Sequence, residues 1–338
     1  MERGDHMEQT DKVKVCVVGS GGWGFNHARA YYNNEKSVLC AVSGRSKNRT
    51  AARAEYFHVP GYTDVEEMLE KEKPDFVSVC LPAMDTFGTT MKVINAGIPL
   101  LVEKPIAYQL EEARAMIDAA QAKDLFMGID FNQRFSIPAR LARKAQEEGK
   151  LGDMNYAVWR FGHDWGDTMA HPHANLIEAQ CHGFNFLEAF CGPIESVMAE
   201  MSDKSGKKGY STFILTLRFV SGALGSMICT FDASGDYPLC QTIELNGRKG
   251  RVLIEDNAQK YTYQSIHSAM SESWAPGFFM DDERSFSHNT DRLIDATLSA
   301  FIKGEKPPVP AAEGLRALEL AYAAIESYEK GIRVRIRN

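Results

Sequence analysis

The chain of 338 residues lacks the features that mark several classes of protein. No apolar run approaches the roughly 20 residues of a membrane span, and Met1–Lys12 is polar, without the apolar core of a signal peptide. The formal net charge is -7 and no segment is strongly basic. We therefore expect neither nucleic acid nor a membrane as a partner. Repeats and low-complexity segments are also missing.

Cysteine pairs in metal-binding or redox spacing are absent as well. The seven cysteines are odd in number, show no C-x-x-C spacing, and several fall in apolar, strand-like runs. This usage is typical of reduced core thiols, so we expect a cytoplasmic protein. What is present is ordinary globular material: 44% hydrophobic and 25% charged residues, enough at this length for two cores.

The first part of the chain alternates strand and helix signals. Apolar on both faces and separated by helix-forming segments, the predicted strands are Val13–Val18, Val38–Val42, Phe76–Leu81, Pro99–Val102 and Phe126–Ile129. Such strands are typical of a parallel sheet covered by helices on both sides. We predict a doubly wound α/β Rossmann domain over residues 1–132.

The second part, residues 133–338, has a different rhythm. A helix is predicted from about Asn175 to Phe190, and strands then follow one another with tight turns. Ser221-Gly222 and Asn246-Gly247 each join two strand-like runs as hairpin turns. This pattern predicts an α+β domain with an open, mostly antiparallel sheet.

A glycine-rich loop follows the first strand and opens a helix. Residues 19–24 satisfy G-x-G-x-x-G, which in this context predicts a dinucleotide site. Gly19 permits a tight turn, Gly21 lets the backbone approach a pyrophosphate, and Gly24 lets the helix pack on the sheet. The predicted contact residues of the loop are Gly19, Ser20, Gly21, Gly22, Trp23 and Gly24.

The end of the second strand bears on the choice of cofactor. An acid there would bind the ribose 2′-hydroxyl of NAD, but residues 37–54 contain none. Ser43, Arg45 and Ser46 are instead suited to a 2′-phosphate. The sequence therefore favours NADP over NAD.

The segment Leu101–Pro105, with Glu-Lys-Pro at a strand end, resembles the glucose–fructose oxidoreductase, inositol dehydrogenase and MocA family. The resemblance extends from about Val13 to the closing helices. It implies hydride transfer between a nicotinamide and a sugar, cyclitol or polyol, in a homodimer or homotetramer without a metal. It adds further contacts of the dinucleotide at Leu81, Pro82, Thr86, Glu103 and Lys104.

The family pattern also places an acid four residues before a histidine, here Glu178 and His182. The resemblance implies His182 as general acid/base, because imidazole titrates nearest neutral pH. Lys104 would stabilise negative charge on the reacting oxygen or transfer the proton more directly, and Glu178 would orient His182 or bind a substrate hydroxyl.

The chain departs from the family pattern around this site. Glu178 replaces the usual aspartate, Ala83 a common asparagine, Thr86 a common histidine, and Asn185 a second aspartate. These changes alter the surroundings of the nicotinamide and the substrate, so the identity of the substrate does not carry over.

Polar residues near the pattern are the candidates for holding substrate. Hydroxyl-bearing substrates suit the side chains of Asn132, Arg134, Asp164, Trp165, His173 and Asn185. The loop of residues 162–174 is rich in imidazole and carboxylate groups and suggests a metal site as an alternative. The motif His171-Pro172-His173 has no partner at helical ligand spacing, however, so no metal is expected.

Two further functions use the same residues. An NAD-dependent glycosidase would oxidise its substrate transiently and show no net reduction of the cofactor. A non-catalytic regulator would bind dinucleotide and sugar without turnover. The retained spacing of Glu178 and His182, together with Lys104, argues against the regulator. The dehydrogenase is the leading hypothesis, and net reduction of the cofactor would distinguish it from the glycosidase.

Overall fold

The computed structural model describes residues 12–164, 166, 169, 171–233, 238–280, 283 and 285–336. Within them the chain forms two compact units. The first runs to Phe131 and also includes Thr290–Leu315; the second comprises Asn132–Asn289 and the residues from Arg316 onward. The prediction of two continuous domains, 1–132 and 133–338, does not include this return of the chain to the first unit.

The first unit is built on a parallel sheet of six strands in the order β3-β2-β1-β4-β5-β6. The strands are β1 (Val13–Val18), β2 (Ser37–Ser43), β3 (Gly61–Tyr62), β4 (Phe76–Val79), β5 (Leu100–Val102) and β6 (Met127–Ile129). The helices between them are α1 (Gly22–Asn33), α2 (Lys47–Phe57), α3 (Val65–Glu72), α4 (Ala83–Asn95) and α5 (Leu110–Ala122). This confirms the predicted Rossmann architecture; the short edge strand β3 was not predicted.

Both faces of this sheet are covered, as its apolar strands require. All four residues of β4 are buried. From the C-terminal half, Ile294 and Leu298 pack into the same core as β1. Both belong to a long helix that covers the sheet, together with Phe301, which lies edge-on to Phe76 with ring centroids 5.4 Å apart. The late segment thus completes a core that the first 131 residues begin.

The second unit contains a sheet of nine strands in the order β14-β13-β12-β11-β7-β10-β9-β8-β15. Among the described strands of this sheet, only β7 and β10 pair in parallel. The strands are β7 (Met154–Gly162), β8 (Ile194–Ser202), β9 (Thr212–Phe219), β10 (Leu224–Thr230), β11 (Gln241–Gly247), β12 (Gly250–Glu255), β13 (Lys260–Ser265), β14 (Ser271–Trp274) and β15 (Val334–Arg335). Of the remaining described helices, α6 (Ile137–Glu147), α7 (Cys181–Cys191) and most of α9 (Ala312–Lys330) belong to the second unit, whereas most of α8 (Ser287–Ile302) belongs to the first.

One face of this sheet carries α7. Strand β9 alternates buried and exposed residues along its length, which is the pattern of a sheet with one covered face. Gly183 of α7 lies so close to the sheet that a Cβ there would be 3.0 Å from the ring of Trp159. The small residue therefore allows α7 to pack directly on β7.

Two local predictions differ from the structure. Asn246 and Gly247 lie inside β11, and the turn is formed by Arg248 and Lys249. A Cβ on Gly247 would lie 2.2 Å from the carbonyl oxygen of Leu151, so the glycine serves a close backbone approach rather than a turn. The predicted helix from Asn175 to Phe190 is a π-helical turn, Asn175–Ala179, followed by α7.

Candidate active site

The glycine loop joins β1 to α1 at the carboxyl edge of the parallel sheet. Gly19 has a φ of +132°, and a Cβ there would lie 2.2 Å from the carbonyl oxygen of Cys80. A Cβ on Gly24 would lie 1.8 Å from the carbonyl oxygen of Gly19, whereas Gly21 faces open space. No side chain caps the N-terminus of α1. The loop therefore has the open backbone and the helix terminus that a pyrophosphate needs.

Arg45 lies at the end of β2 and forms an ion pair that the sequence did not predict. Its two terminal nitrogens lie 3.0 and 2.7 Å from the carboxylate oxygens of Asp85, in the first turn of α4. Ser46 caps α2 by accepting the backbone N–H of Arg49, while Ser43 is buried. Residues 37–54 contain no acid, but α4 supplies a carboxylate to Arg45 from outside that segment.

The loop after β4 is closed by its own side chains. Thr86 is buried, and its hydroxyl donates to the carbonyl oxygens of Leu81 and Pro82, at 3.4 and 3.1 Å. The hydroxyl thus stabilises the first turn of α4. Because Asp85 lies in that turn, Thr86 also fixes the backbone that carries Asp85.

Lys104 follows β5, and a hydrogen bond to Glu103 links its backbone to a buried polar cluster. The backbone N–H of Lys104 donates to the carboxylate of Glu103, at 2.9 Å. The other Glu103 oxygen lies 3.2 Å from Nε2 of His27, on α1. The same Nε2 is 2.9 Å from Asp130, just after β6, and Nδ1 is 2.8 Å from the Ser78 hydroxyl. The carboxylate of Glu103 therefore faces the interior of the first unit.

The charges in this cluster depend on one another. Burial alone would lower the pKa of His27, but Cys80, Asp130 and Glu103 outweigh it and raise that pKa well above 6.5. Burial and the Glu103 charge raise the pKa of Asp130. A protonated His27 between two carboxylates is the state that best compensates buried negative charge.

Among the described residues, only this cluster brings potential metal-ligand atoms close enough together to hold an ion. Its members are His27, Glu103 and Asp130. All three side chains are buried. The imidazole already faces the carboxylates at hydrogen-bond and ion-pair distances. The described residues of the histidine-rich loop, among them His171 and His173, contribute to no such group.

In the second unit, Glu178 lies in the π-helical turn and His182 in the first turn of α7. His182 is buried, and Glu178 is partly buried. Gln180 lies between them and fixes the turn: it accepts the indole N–H of Trp159 at 2.8 Å and donates to Asn175 at 3.1 Å. Single π-helical turns inside α-helices are frequent at functional sites.

The structure brings together some of the predicted substrate residues. Nη1 of Arg134 lies 3.5 Å from the side-chain oxygen of Asn185. Asn132 is buried in the same short 3₁₀ helix as Arg134. Arg134 of the 3₁₀ helix thus meets Asn185 of α7 within the second unit, although the two residues are distant in sequence.

The other predicted substrate residues lie in the loop after β7. Asp164 is exposed and pairs with Lys207 at 2.8 Å, which lowers the pKa of Asp164. His173 stacks on Tyr210, with ring centroids 5.0 Å apart, and burial lowers its pKa. Trp165 lies outside the described residues.

Sequence reasoning did not identify four residues that take part in these arrangements: Asp85, His27, Asp130 and Gln180. A weak signal exists for His27, which is polar at a position where α1 must face the sheet, three residues after Gly24. For Asp85 the only signal is an acid at the start of the helix after β4. Pairing with Arg45 depends on tertiary structure.

With the fold and the loop described, comparison with known proteins defines the class. A model described as an oxidoreductase family with an NAD-binding Rossmann fold matches residues 13–131. A second, described as the GFO/IDH/MocA C-terminal domain, matches residues 139–253. The protein is thus an NAD-binding oxidoreductase with a Rossmann domain. Together the two models cover more than half of the chain, which belongs to the GFO/IDH/MocA family.

Curated relatives match over nearly the whole chain. The myo-inositol 2-dehydrogenase of Thermotoga maritima is 26% identical over 332 residues, covering 94% of this chain and 97% of the relative. The inositol 2-dehydrogenase of Rhizobium meliloti is 23% identical over 324 residues, covering 93% of this chain and 96% of the relative. Both relatives are named as dehydrogenases.

Solved structures share the fold. A levoglucosan dehydrogenase in complex with NADH and levoglucosan superposes with a TM-score of 0.87 at 19% identity, covering 97% of this chain and 100% of that one. An oxidoreductase from Agrobacterium radiobacter, in complex with NAD+, L-tartaric acid and magnesium, gives 0.86 at 16% identity, covering 96% and 98%. At these identities the likeness establishes the architecture. None of the described helices is long and apolar enough to cross a membrane.

Proposed function

We propose that the protein is an NAD(P)-dependent dehydrogenase or reductase that acts on a hydroxyl or ketone of a sugar, cyclitol or related polyol. The observation that carries the proposal is the placement of Lys104 just beyond β5, after Glu103, at the carboxyl edge that also holds the glycine loop. Ligands of doubly wound sheets bind at this edge. The full-length likeness to inositol dehydrogenases supports the substrate class.

The loop of residues 19–24 would hold the pyrophosphate on the N-terminus of α1. A bound nicotinamide supplies the acceptor or donor of hydride. Lys104 donates a hydrogen bond to the reacting oxygen and stabilises its negative charge, or takes part in the proton transfer more directly. Its backbone is held for this role by Glu103.

His182 takes the hydroxyl proton in oxidation and returns it in reduction, as general base and acid. Glu178 orients that imidazole or binds a substrate hydroxyl. Asn132, Arg134 and Asn185 are proposed to bind further hydroxyls, since amide and guanidinium groups pair well with polyols. The contact between Arg134 and Asn185 supports a common surface for them.

A screen tests this function. Myo-inositol, related cyclitols and monosaccharides are each offered with NAD+ and NADP+, and formation of the reduced nicotinamide is followed by its absorbance. Lys104→Ala and His182→Ala are expected to lower kcat by about 10²- to 10⁴-fold, with NADH binding retained. Lys92→Ala and His267→Asn, both on exposed residues, serve as controls. Undiminished turnover in both catalytic variants would overturn the assignment.

We also propose that the protein is a homodimer or homotetramer joined through the outer face of the nine-stranded sheet. Ile214 and Ile228 are cross-strand partners of β9 and β10, and both are exposed. Leu224 continues the same apolar surface. Burying such a surface against a second copy is favourable. Sedimentation of wild type and of Ile214→Glu tests the proposal: the variant is expected to shift toward monomer.

A cytoplasmic location belongs to the same proposal. The thiols of Cys16, Cys80, Cys191 and Cys229 are buried and form no disulfide, and buried, reduced thiols are typical of a reducing compartment. Fractionation of cells that express the tagged protein would test the location.

A further inference from the structure

The carboxyl edge near β2 carries an unusual balance of charge. Arg45, Lys47 and Arg49 are exposed cations at alternate positions of the chain. A carboxylate from α4 pairs with the first of them: Asp85 binds both terminal nitrogens of Arg45. The strand order places β1 between β2 and β4. The pair of Arg45 and Asp85 therefore lies across the glycine loop that follows β1. The adenosine ribose binds on this side of the sheet edge in this fold.

The two nicotinamide dinucleotides make opposite demands on this pair. A 2′-phosphate needs a cation with a free fork of donors, and it is repelled by a carboxylate. A 2′-hydroxyl is neutral and donates a hydrogen bond to a carboxylate. While Asp85 occupies both terminal nitrogens of Arg45, this edge of the sheet suits the 2′-hydroxyl of NADH and opposes the 2′-phosphate of NADPH.

We propose that Asp85 determines the cofactor preference of this protein, favouring NADH over NADPH by holding Arg45 and by repelling a 2′-phosphate. Asp85 thus takes the place of the acid that is missing from the end of β2. The proposal rests on the proposed function only in that a dinucleotide binds at the glycine loop. It reverses the preference for NADP that residues 37–54 suggest on their own.

The exposure of the pair makes this preference easy to change. The side chain of Arg45 is 74% exposed and that of Asp85 is 31% exposed. Exposed ion pairs contribute little to stability, so removing Asp85 leaves the fold intact. The same substitution releases the Arg45 guanidinium and removes the repulsive charge, both of which favour NADPH.

Binding of NADH and NADPH to the purified full-length protein tests the proposal without a substrate. Nucleotide fluorescence gives the dissociation constants at low and at high salt. Wild type is expected to bind NADH more tightly than NADPH, and Asp85→Asn to improve NADPH binding by about tenfold, with a smaller change for NADH. The gain should shrink at high salt, because it is electrostatic.

A matched control separates this effect from net charge. Glu66→Gln also removes one negative charge and one exposed ion pair, the pair of Glu66 with Lys92. Lys92 lies on α4, two helical turns after Asp85. It is expected to leave the ratio of the two affinities unchanged. Arg45→Gln is expected to weaken NADPH binding and to abolish most of the gain in the Asp85→Asn background, because the released guanidinium supplies it.

Three results would overturn the inference. Wild type with a preference for NADPH, an equal gain in Glu66→Gln, or an equal gain of Asp85→Asn with and without Arg45 would each contradict it while leaving the enzyme class intact. If neither nucleotide binds to wild type, the proposed function fails together with the inference. The variants' circular dichroism and thermal midpoints show whether they are folded.

Discussion

Nε2 of His27 lies 2.9 Å from the carboxylate of Asp130, and both side chains are completely buried. The pair connects α1 to the end of β6, and Glu103 connects it to the backbone of Lys104. A polar cluster in the core of the first unit thus reaches the residue proposed to act on substrate. Its charge state also affects the stability of this unit.

His27→Gln is expected to lower the free energy of unfolding by about 3–5 kcal/mol, because it leaves buried carboxylates without a cation. Folding raises the pKa of His27 above 6.5, so its contribution is fully present below that pH and is lost as the pH rises through the folded value. The raised pKa of Asp130 has the same sign. Urea titrations of wild type and variant should differ most near about pH 6 and converge at alkaline pH.

The double variant His27→Gln with Asp130→Asn serves as the control for this prediction. Removing a charge from both sides of the pair should recover part of the lost stability. A single variant within about 0.5 kcal/mol of wild type at every pH would show that the imidazole carries no buried charge.

Gly24→Ala is expected to lower the free energy of unfolding by about 1–3 kcal/mol and to weaken NADH binding at least about tenfold. The new methyl group would lie 1.8 Å from the carbonyl oxygen of Gly19 and must displace the loop. Gly88→Ala is the matched control, since Gly88 lies in α4 with nothing within 4 Å of its missing Cβ. There the expected change is neutral or stabilising. Equal effects at both positions would contradict the packing role of Gly24.

Gln180→Leu is expected to cost about 2–4 kcal/mol, since it leaves the Trp159 indole N–H and the Asn175 side chain without this buried partner. Asn155→Leu is the control. It removes an exposed amide contact with Asn246 and should change stability by less than about 0.5 kcal/mol. Thermal and urea unfolding measure both. Similar losses would mean that the network does not stabilise the π-helical turn.

Arg316→Lys is expected to cost about 1–2 kcal/mol, although the charge is kept, because lysine cannot reproduce a forked contact. Nε and Nη2 of Arg316 lie 3.2 and 3.0 Å from one Glu188 oxygen, and Nη2 also donates to the carbonyl of Ile194. Arg248→Lys is the control: its contact with Asp153 is 3.9 Å long and exposed. An equal loss of stability in both variants would mean that the Arg-to-Lys change itself, and not the forked contact, causes the effect.

Periodicity and turn chemistry predicted the strands and helices of both units with few exceptions. Two of the exceptions share a cause. Gly247 has the composition of a turn residue, yet it lies in β11 because the backbone of Leu151 approaches it closely. The helix expected over Asn175–Phe190 begins as a π-helical turn because Gln180 and Asn175 bond to each other and to partners distant in sequence. Neither contact is visible in a local window.

The candidate site divides in the same way. Gly19, Gly24 and Lys104 were identified from the sequence, because a tight turn, a close helix and a strand end require particular residues at fixed spacings. Their roles toward cofactor and substrate stay predictions. The predicted contact of Glu103 with the dinucleotide also stays a prediction. The partners of those residues were not identified from the sequence: the carboxylate of Glu103 faces His27.

The sequence by itself determined the class of this protein, since strand, glycine loop and helix are consecutive and their geometry is local. It also led to a preference for NADP, because the segment after β2 contains cations and no acid. Only the tertiary structure decided what Arg45 meets. Parallel strands place their carboxyl ends at one edge, so the helix after β4 brings Asp85 to a cation 40 residues earlier in the chain. Charge pairing across that edge depends on distance in space, which sequence spacing does not give.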